Sequence, residues 1–160
     1  MKNVKLEIHY DLCSLDELSA SDRELVERAM KATDNSYAKY SRFCVGAAAR
    51  LANGQVVIGA NQENAAYPSG LCAERTCIFS AQANYPDQPI LTLAVAARNE
   101  NGFIPDPIAP CGACRQVILE IEDRYRQPVR VLLYGTHGTA VVRSVTDLLP
   151  LSFGDASMHA

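Results

Sequence analysis

The stretch LTLAVAAR, residues 91–98, is a short and nearly continuous apolar run. A strand of that composition has no polar face to present to water, so it must be covered on both sides. Sheets covered on both faces occur where helices pack above and below them, which leaves the chain few architectures. Other segments agree. VRVLLYG (129–135) reads as a second buried strand, AVVRSV (140–145) as a further one across the GTHG turn, and VKLEIHY (4–10) alternates as a strand. VGAAARL (45–51) and QVVIGA (55–60) flank Asn53-Gly54, which predicts a hairpin with a type I′ turn. Ser21 and Glu24 make a capping box ahead of Leu25, Val26, Ala29 and Met30, so a helix is expected over about 21–34. Further helices are expected from Cys72 through Ala83 and from Cys111 through Tyr125. The order strand, helix, hairpin, helix, strand, helix, strand, strand predicts an α/β fold, a three-layer α/β/α sandwich with a mixed, roughly five-stranded sheet.

The chain has 160 residues, 48% hydrophobic and 21% charged, enough apolar material for one ordinary core. One domain over 1–160 is expected, with residues 1–20 as an N-terminal extension and 154–160 as a tail or intersubunit arm. The net charge of -3 argues against a partner held by neutralising many phosphates, so nucleic acid is disfavoured. No apolar run approaches the ~18 residues of a bilayer span, and MKNVKLEIHYDLC lacks the apolar stretch of a secretory signal. A soluble, cytoplasmic chain with no membrane partner is expected. The six cysteines (13, 44, 72, 77, 111, 114) then read as reduced thiols or metal ligands rather than three disulfides.

Pro110-Cys111-Gly112-Ala113-Cys114 places two thiols three residues apart at a helix start, about 60° apart on one face, within reach of one ion. Alone, Cys-x-x-Cys fits a redox pair, half of a zinc site or chance. A zinc ion needs at least one more protein ligand, and three ligands leave a fourth position for water, the layout of catalysis. Cys72 stands at a loop-to-helix boundary after Pro68 and Gly70, as Cys111 does after Pro110. Cys77 would be rotated by about 140° from Cys72 on the same helix, and it falls among Ile78, Phe79 and Ala81, as a core residue does. Cys13, Cys44 and the histidines at 9, 137 and 159 show no metal spacing. Glu74, two residues after Cys72, is near such an ion without being forced into its ligand set, where a carboxylate can take a proton from water.

Cys72-Ala73-Glu74-Arg75 and Pro110-Cys111-Gly112-Ala113-Cys114-Arg115-Gln116-Val117 together resemble the cytidine deaminase family, in its small-subunit, homotetrameric branch. YAKYSRFCVGAA (37–48) resembles the family's segment before the first hairpin, and NQENAAYP (61–68) its substrate loop. The resemblance spans roughly residues 25–153. Lys39 departs from a frequent proline, and the N-terminal segment has no counterpart.

The resemblance implies one Zn2+ per subunit on Cys72, Cys111 and Cys114, and hydrolytic deamination of cytidine and deoxycytidine to uridine and deoxyuridine in pyrimidine salvage. Glu74 would shuttle protons from water to the ring and the leaving amine, and Arg75 would temper the thiolates by hydrogen bonding to a ligating sulfur. Phe43 would pack on the pyrimidine, the Ala73 N–H would meet the base carbonyl, the Ala109 carbonyl would receive the amine, and Asn61 and Glu63 would bind the ribose 3′-hydroxyl. A carboxylate at the sugar favours a hydroxyl and repels phosphate, so a nucleoside is expected. Tyr67 and Phe153 would reach a neighbouring subunit's site in a homotetramer. Two alternatives are a deaminase of another aminopyrimidine nucleoside, of the blasticidin S type, and a non-catalytic structural zinc module. Glu74 has no task in the structural module, and the acidic charge removes the usual nucleic-acid partner of one.

Overall fold

The computed structural model describes residues 1–159. A seven-stranded mixed sheet runs in the order β1-β7-β6-β4-β2-β3, with β5 pairing β4. The long strands are β2 (Cys44–Leu51), β3 (Val56–Ala60), β4 (Ile90–Asn99), β6 (Arg130–Gly135) and β7 (Gly138–Val142). β4 is antiparallel to β2 and parallel to β6, because helix α3 (Gly112–Tyr125) carries the chain from one end of the sheet back to the other. The expected three layers and mixed sheet are present. Beside the five long strands stand two short ones: β1 (Asp11–Cys13), which takes the place of the strand expected at 4–10, and β5 (Gly102–Phe103), too short to leave an alternating pattern.

Strand alternation sorts the core onto two faces. Ala47, Ala49, Leu93, Val95, Val131 and Leu133 point to helices α2 (Ala73–Asn84) and α3, where they meet Cys77, Ile78, Ile118 and Ile121. Ala48, Ala94, Ala96, Leu132 and Val141 point the other way, to Leu25, Val26 and Ala29 of α1 (Ala20–Ala32). Each fully buried Leu or Ile contributes about 1.5–3 kcal/mol, so LTLAVAAR is held by both layers. The alanines bring helices close to the sheet. Closest is the crossing of α1 over β2, where a Cβ on Gly46 would sit 2.1 Å from Ala29 O; α2 crosses β3 nearly as closely, a Cβ on Gly59 falling 2.4 Å from Cys77 N and 2.6 Å from Ala73 O. Thr76 Oγ1 donates to Ala60 O at 2.9 Å and reinforces that crossing.

Three local expectations are corrected. The strand expected at 4–10 lies instead at Asp11–Cys13, because its partner β7 ends at Val142 and leaves the preceding residues nothing to pair with. Helix α1 is capped by Ser19, which accepts from Asp22 N at 3.1 Å, and not by Ser21. Burial of Leu18 accompanies an entry two residues earlier, and the Ser21 hydroxyl receives Arg50 instead. In the β2–β3 hairpin only Gly54 has positive φ (+83°), whereas a type I′ turn needs two such residues. Its loop is the three-residue form: Gly54 N–H donates to Leu51 O at 2.9 Å, and the left-handed glycine follows. The C-terminal segment holds a short helix, α4 (Asp155–Met158), and Ala160 lies outside the described residues. No helix among the described residues is long and apolar enough to cross a membrane.

Candidate active site

Helices α2 and α3 lie on one face of the sheet, and each is preceded by an extended cysteine: Cys72 at φ -69°, ψ 157° and Cys111 at φ -64°, ψ 165°. Neither thiol caps its helix, so both sulfurs are free to turn toward each other. Cys72 Sγ lies 3.7 Å from Cys111 Sγ, which is 3.5 Å from Cys114 Sγ, and all three fall within 4.8 Å of one another. With Zn–S bonds of about 2.3 Å, a tetrahedral zinc has S···S edges of about 3.8 Å, so the donor set fits that ion. Cys13 and Cys44 stand apart from this group, and Cys77 turns into the core, where its thiol donates to Val57 O at 3.2 Å.

The thiols differ in acidity for visible reasons. Hydrogen bonds from the Cys114 thiol and then the Arg75 guanidinium draw Cys72 down to about 5, against the pull of burial. Cys114 is held above the ordinary thiol value as the proton-bearing neighbour of Cys72 and by its burial. Burial, with the Glu74 charge adding to it, pushes Cys77 up to about 12. Arg75 Nη2 donates to Cys72 Sγ at 3.5 Å, the contact expected of a residue that tempers a ligating sulfur. Glu74, in the first turn of α2, is 5% exposed, and burial raises its carboxyl above the ordinary range, with the Cys72 thiolate adding to the rise.

A cleft of about 540 Å³ opens over this cluster. Phe43, Asn61, Glu63, Tyr67 and Ala109 line it together with Cys72, Ala73 and Glu74. Backbone bonds bring these distant segments together: Gln62 and Leu71 exchange N–H···O bonds of 2.9 and 3.0 Å, which ties the chain leaving β3 to the residue before Cys72. Asn61 organises the same region, its Nδ2 donating to Phe43 O at 2.9 Å and its Oδ1 accepting from Val45 N at 2.8 Å. Glu63 accepts from Tyr40 N at 2.7 Å and from the Ser41 hydroxyl, and these donors hold its carboxyl below the usual value, the hydroxyl foremost. Tyr67 is 77% exposed and meets Tyr40 edge-on at 5.9 Å. Phe153 stands outside this cleft and is 62% exposed, its carbonyl accepting from Gln116 Nε2 at 2.8 Å.

One contributor had no role in the sequence reading. Arg115 Nε donates to Pro110 O at 2.8 Å and Nη1 to Leu148 O at 2.6 Å, so it fixes the turn that presents Cys111. Its place in the first turn of α3, directly after Cys114, was the available signal.

Comparison with known proteins agrees with this geometry. Residues 19–127 match the family described as the cytidine and deoxycytidylate deaminase zinc-binding region, a span that contains all three clustered cysteines. A cytidine deaminase of Halalkalibacterium halodurans is 37% identical over 139 residues, 86% of this chain and 98% of that protein. The crystal structure of the cytidine deaminase from Burkholderia pseudomallei superposes with a TM-score of 0.71 at 40% identity, covering 85% of this chain and all of the other. That of Mycobacterium tuberculosis superposes at 0.66 with 31% identity, covering 85% and 99%.

Proposed function

This chain belongs to the cytidine and deoxycytidylate deaminase family, and from that membership we propose that its cleft hydrolyses the amino group of cytidine and deoxycytidine, giving uridine and deoxyuridine. The enzyme is a zinc-dependent cytidine deaminase, with the ion on Cys72, Cys111 and Cys114. The observation that carries the reading is the buried carboxyl of Glu74, two residues after one of three converging thiols, lining a nucleoside-sized cleft.

Zinc held by Cys72, Cys111 and Cys114 would supply Lewis acidity, making water acidic enough to give up a proton near neutral pH. Glu74 accepts the proton that this water gives up, delivers it to ring N3 as charge develops there, and later protonates the departing amine. Burial suits the carboxyl to that cycle, because a raised pKa brings proton uptake and release nearer to balance at neutral pH. Arg75 and the two helix N-termini offset the negative charge of three thiolates. Phe43 packs on the pyrimidine, the unpaired N–H of Ala73 in the first helical turn meets the base carbonyl, and the Ala109 carbonyl receives the amine.

Asn61 and Glu63 take the ribose 3′-hydroxyl. Glu63 is oriented by three loop donors, Tyr40 N, Ser41 N and the Ser41 hydroxyl, and its charge repels a phosphate, which favours the free nucleoside. Tyr67 and Phe153 complete sites of neighbouring subunits in a homotetramer, a reading supported by the exposure of both rings.

The experiment is the fall in cytidine absorbance with zinc-loaded protein, run beside deoxycytidine and both monophosphates. Turnover of the nucleosides with slower turnover of the monophosphates is expected. Stoichiometric zinc with no turnover of cytidine would overturn the reading.

A further inference from the structure

We propose that residues 4–12 form a self-complementary strand through which two copies of this chain pair antiparallel, Ile8 against the partner's Ile8. Val4, Leu6, Ile8, Tyr10 and Leu12 are all exposed and alternate with Lys5, Glu7, His9 and Asp11. The two rows are segregated: Lys5 Nζ lies 2.7 Å and His9 Nε2 3.8 Å from the Glu7 carboxylate, contacts between alternate residues on one side of an extended backbone. The arm is therefore shaped as a strand while residues 4–9 have no ladder partner in their own chain, since pairing with β7 starts at Asp11. It also lies outside the family match, which begins at residue 19.

The charge pattern selects the occupant. Antiparallel pairing centred on Ile8 sets Lys5 opposite the partner's Asp11 and Glu7 opposite the partner's His9, and each contact occurs twice by symmetry. On the other face Val4 meets the partner's Leu12, and Leu6 the partner's Tyr10. A centre at Glu7 opposes Glu7 to itself and Lys5 to His9, and a centre at His9 opposes Glu7 to Asp11, so both place like charges across the ladder. Centres at Leu6 or Tyr10 lose both contacts and each make a single complementary pair instead, Lys5 with Glu7 or His9 with Asp11. The sheet order ends at β1, so its outer edge is free to receive the partner arm and continue the sheet.

Directly opposed residues have Cα atoms about 4.5–5.5 Å apart, inside the roughly 4.4–6.8 Å that a disulfide spans. The test is Ile8→Cys in the full, zinc-loaded chain, oxidised mildly with oxidised glutathione and read by non-reducing electrophoresis and mass spectrometry of the linked peptide. Leu6→Cys or Tyr10→Cys alone puts each thiol four residues away from its own copy, beyond bridging reach, whereas a mixture of those two variants regains it. Linkage at position 8, and between 6 and 10 in the mixture, is expected to exceed that of either single variant by at least about tenfold. Lys5→Glu should lower the yield at position 8, and Lys5→Glu with Asp11→Lys should restore it. Absence of the position-8 peptide, or equal linkage in all three single variants, overturns the proposal. The arm touches no residue of the cleft, so cytidine turnover serves as a folding control, and its failure would bear on the catalytic reading alone.

Discussion

Glu74 and Glu122 are both nearly removed from water, 5% and 9% exposed, on helices that share one face of the sheet. Their surroundings are opposite. Glu122, near the C-terminus of α3 where the helix dipole disfavours an anion, receives Val129 N at 2.8 Å, Val145 N at 3.0 Å and the Ser144 hydroxyl at 2.8 Å. Its lone pairs are spent on joining α3 to the segments on either side of β6 and β7. Glu74 stands at the favourable N-terminal end of α2 and faces thiols and a cleft, with burial raising its proton affinity. One carboxylate is saturated and immobile, and the other keeps the capacity to exchange a proton.

Removing the ion would break the comparison most completely, since it leaves Glu74 with nothing to serve. Cys111→Ala, or stripping with a chelator, is expected to eliminate zinc and turnover together, with re-added zinc restoring only the stripped wild type. Metal analysis beside the absorbance assay reads this, and turnover that survives zinc loss would sink the assignment. Next is Glu74→Gln, which keeps the shape and the zinc but cannot carry a proton. Turnover number should fall by about 10²–10⁴-fold while zinc content and melting temperature hold. A variant of unchanged rate would remove Glu74 from catalysis. The reverse result is expected of Glu122→Gln: replacing an acceptor of three bonds by an amide costs about 1–3 kcal/mol in urea unfolding, with kcat nearly unchanged. Equal stability would mean that the Glu122 contacts contribute nothing net.

The same pair marks what could be read in advance. The role proposed for Glu74 could be read in advance because it rests on residue types at short spacing, Cys72 before it and Arg75 after, and those survive as sequence. Glu122 was not, because two of its three partners are backbone N–H groups, which every residue possesses, at Val129 and Val145. The fold divides likewise. β4 and β6 announced themselves as apolar runs, whereas β5 is two residues long and exists only because Gly102 and Phe103 pair back onto Asn99 and Arg98. The arm alternates as well as any strand in the chain, yet the end of β7 decided its pairing. The hairpin was correctly placed and its turn misjudged, because Asn-Gly suits the two-residue and the three-residue loop alike and register chooses between them.

The smallest effect concerns Cys72, at the head of α2, and Cys77 within it, five residues apart with thiols at about 5 and about 12. Cys77 titrates in the native state only near 12, whereas an exposed thiol does so near 9.0. Below 9.0 both the native and the unfolded chain hold this proton, and whatever Cys77 contributes to stability is fully present. Above 9.0 the unfolded thiol ionises while the native one cannot, so stability drains away as pH rises toward 12, by about 1 kcal/mol per pH unit. Cys77→Ala lacks that proton. It should therefore be less stable than wild type by about 1 kcal/mol near neutrality, from lost burial and the lost bond to Val57 O, while keeping zinc and turnover. As pH rises past 9.0 the gap between the two proteins in urea unfolding should close. A gap that stays constant from pH 8 to 10.5 would show that Cys77 is not the buried, protonated thiol described, and loss of zinc in the variant would make it a partner of the metal cluster after all.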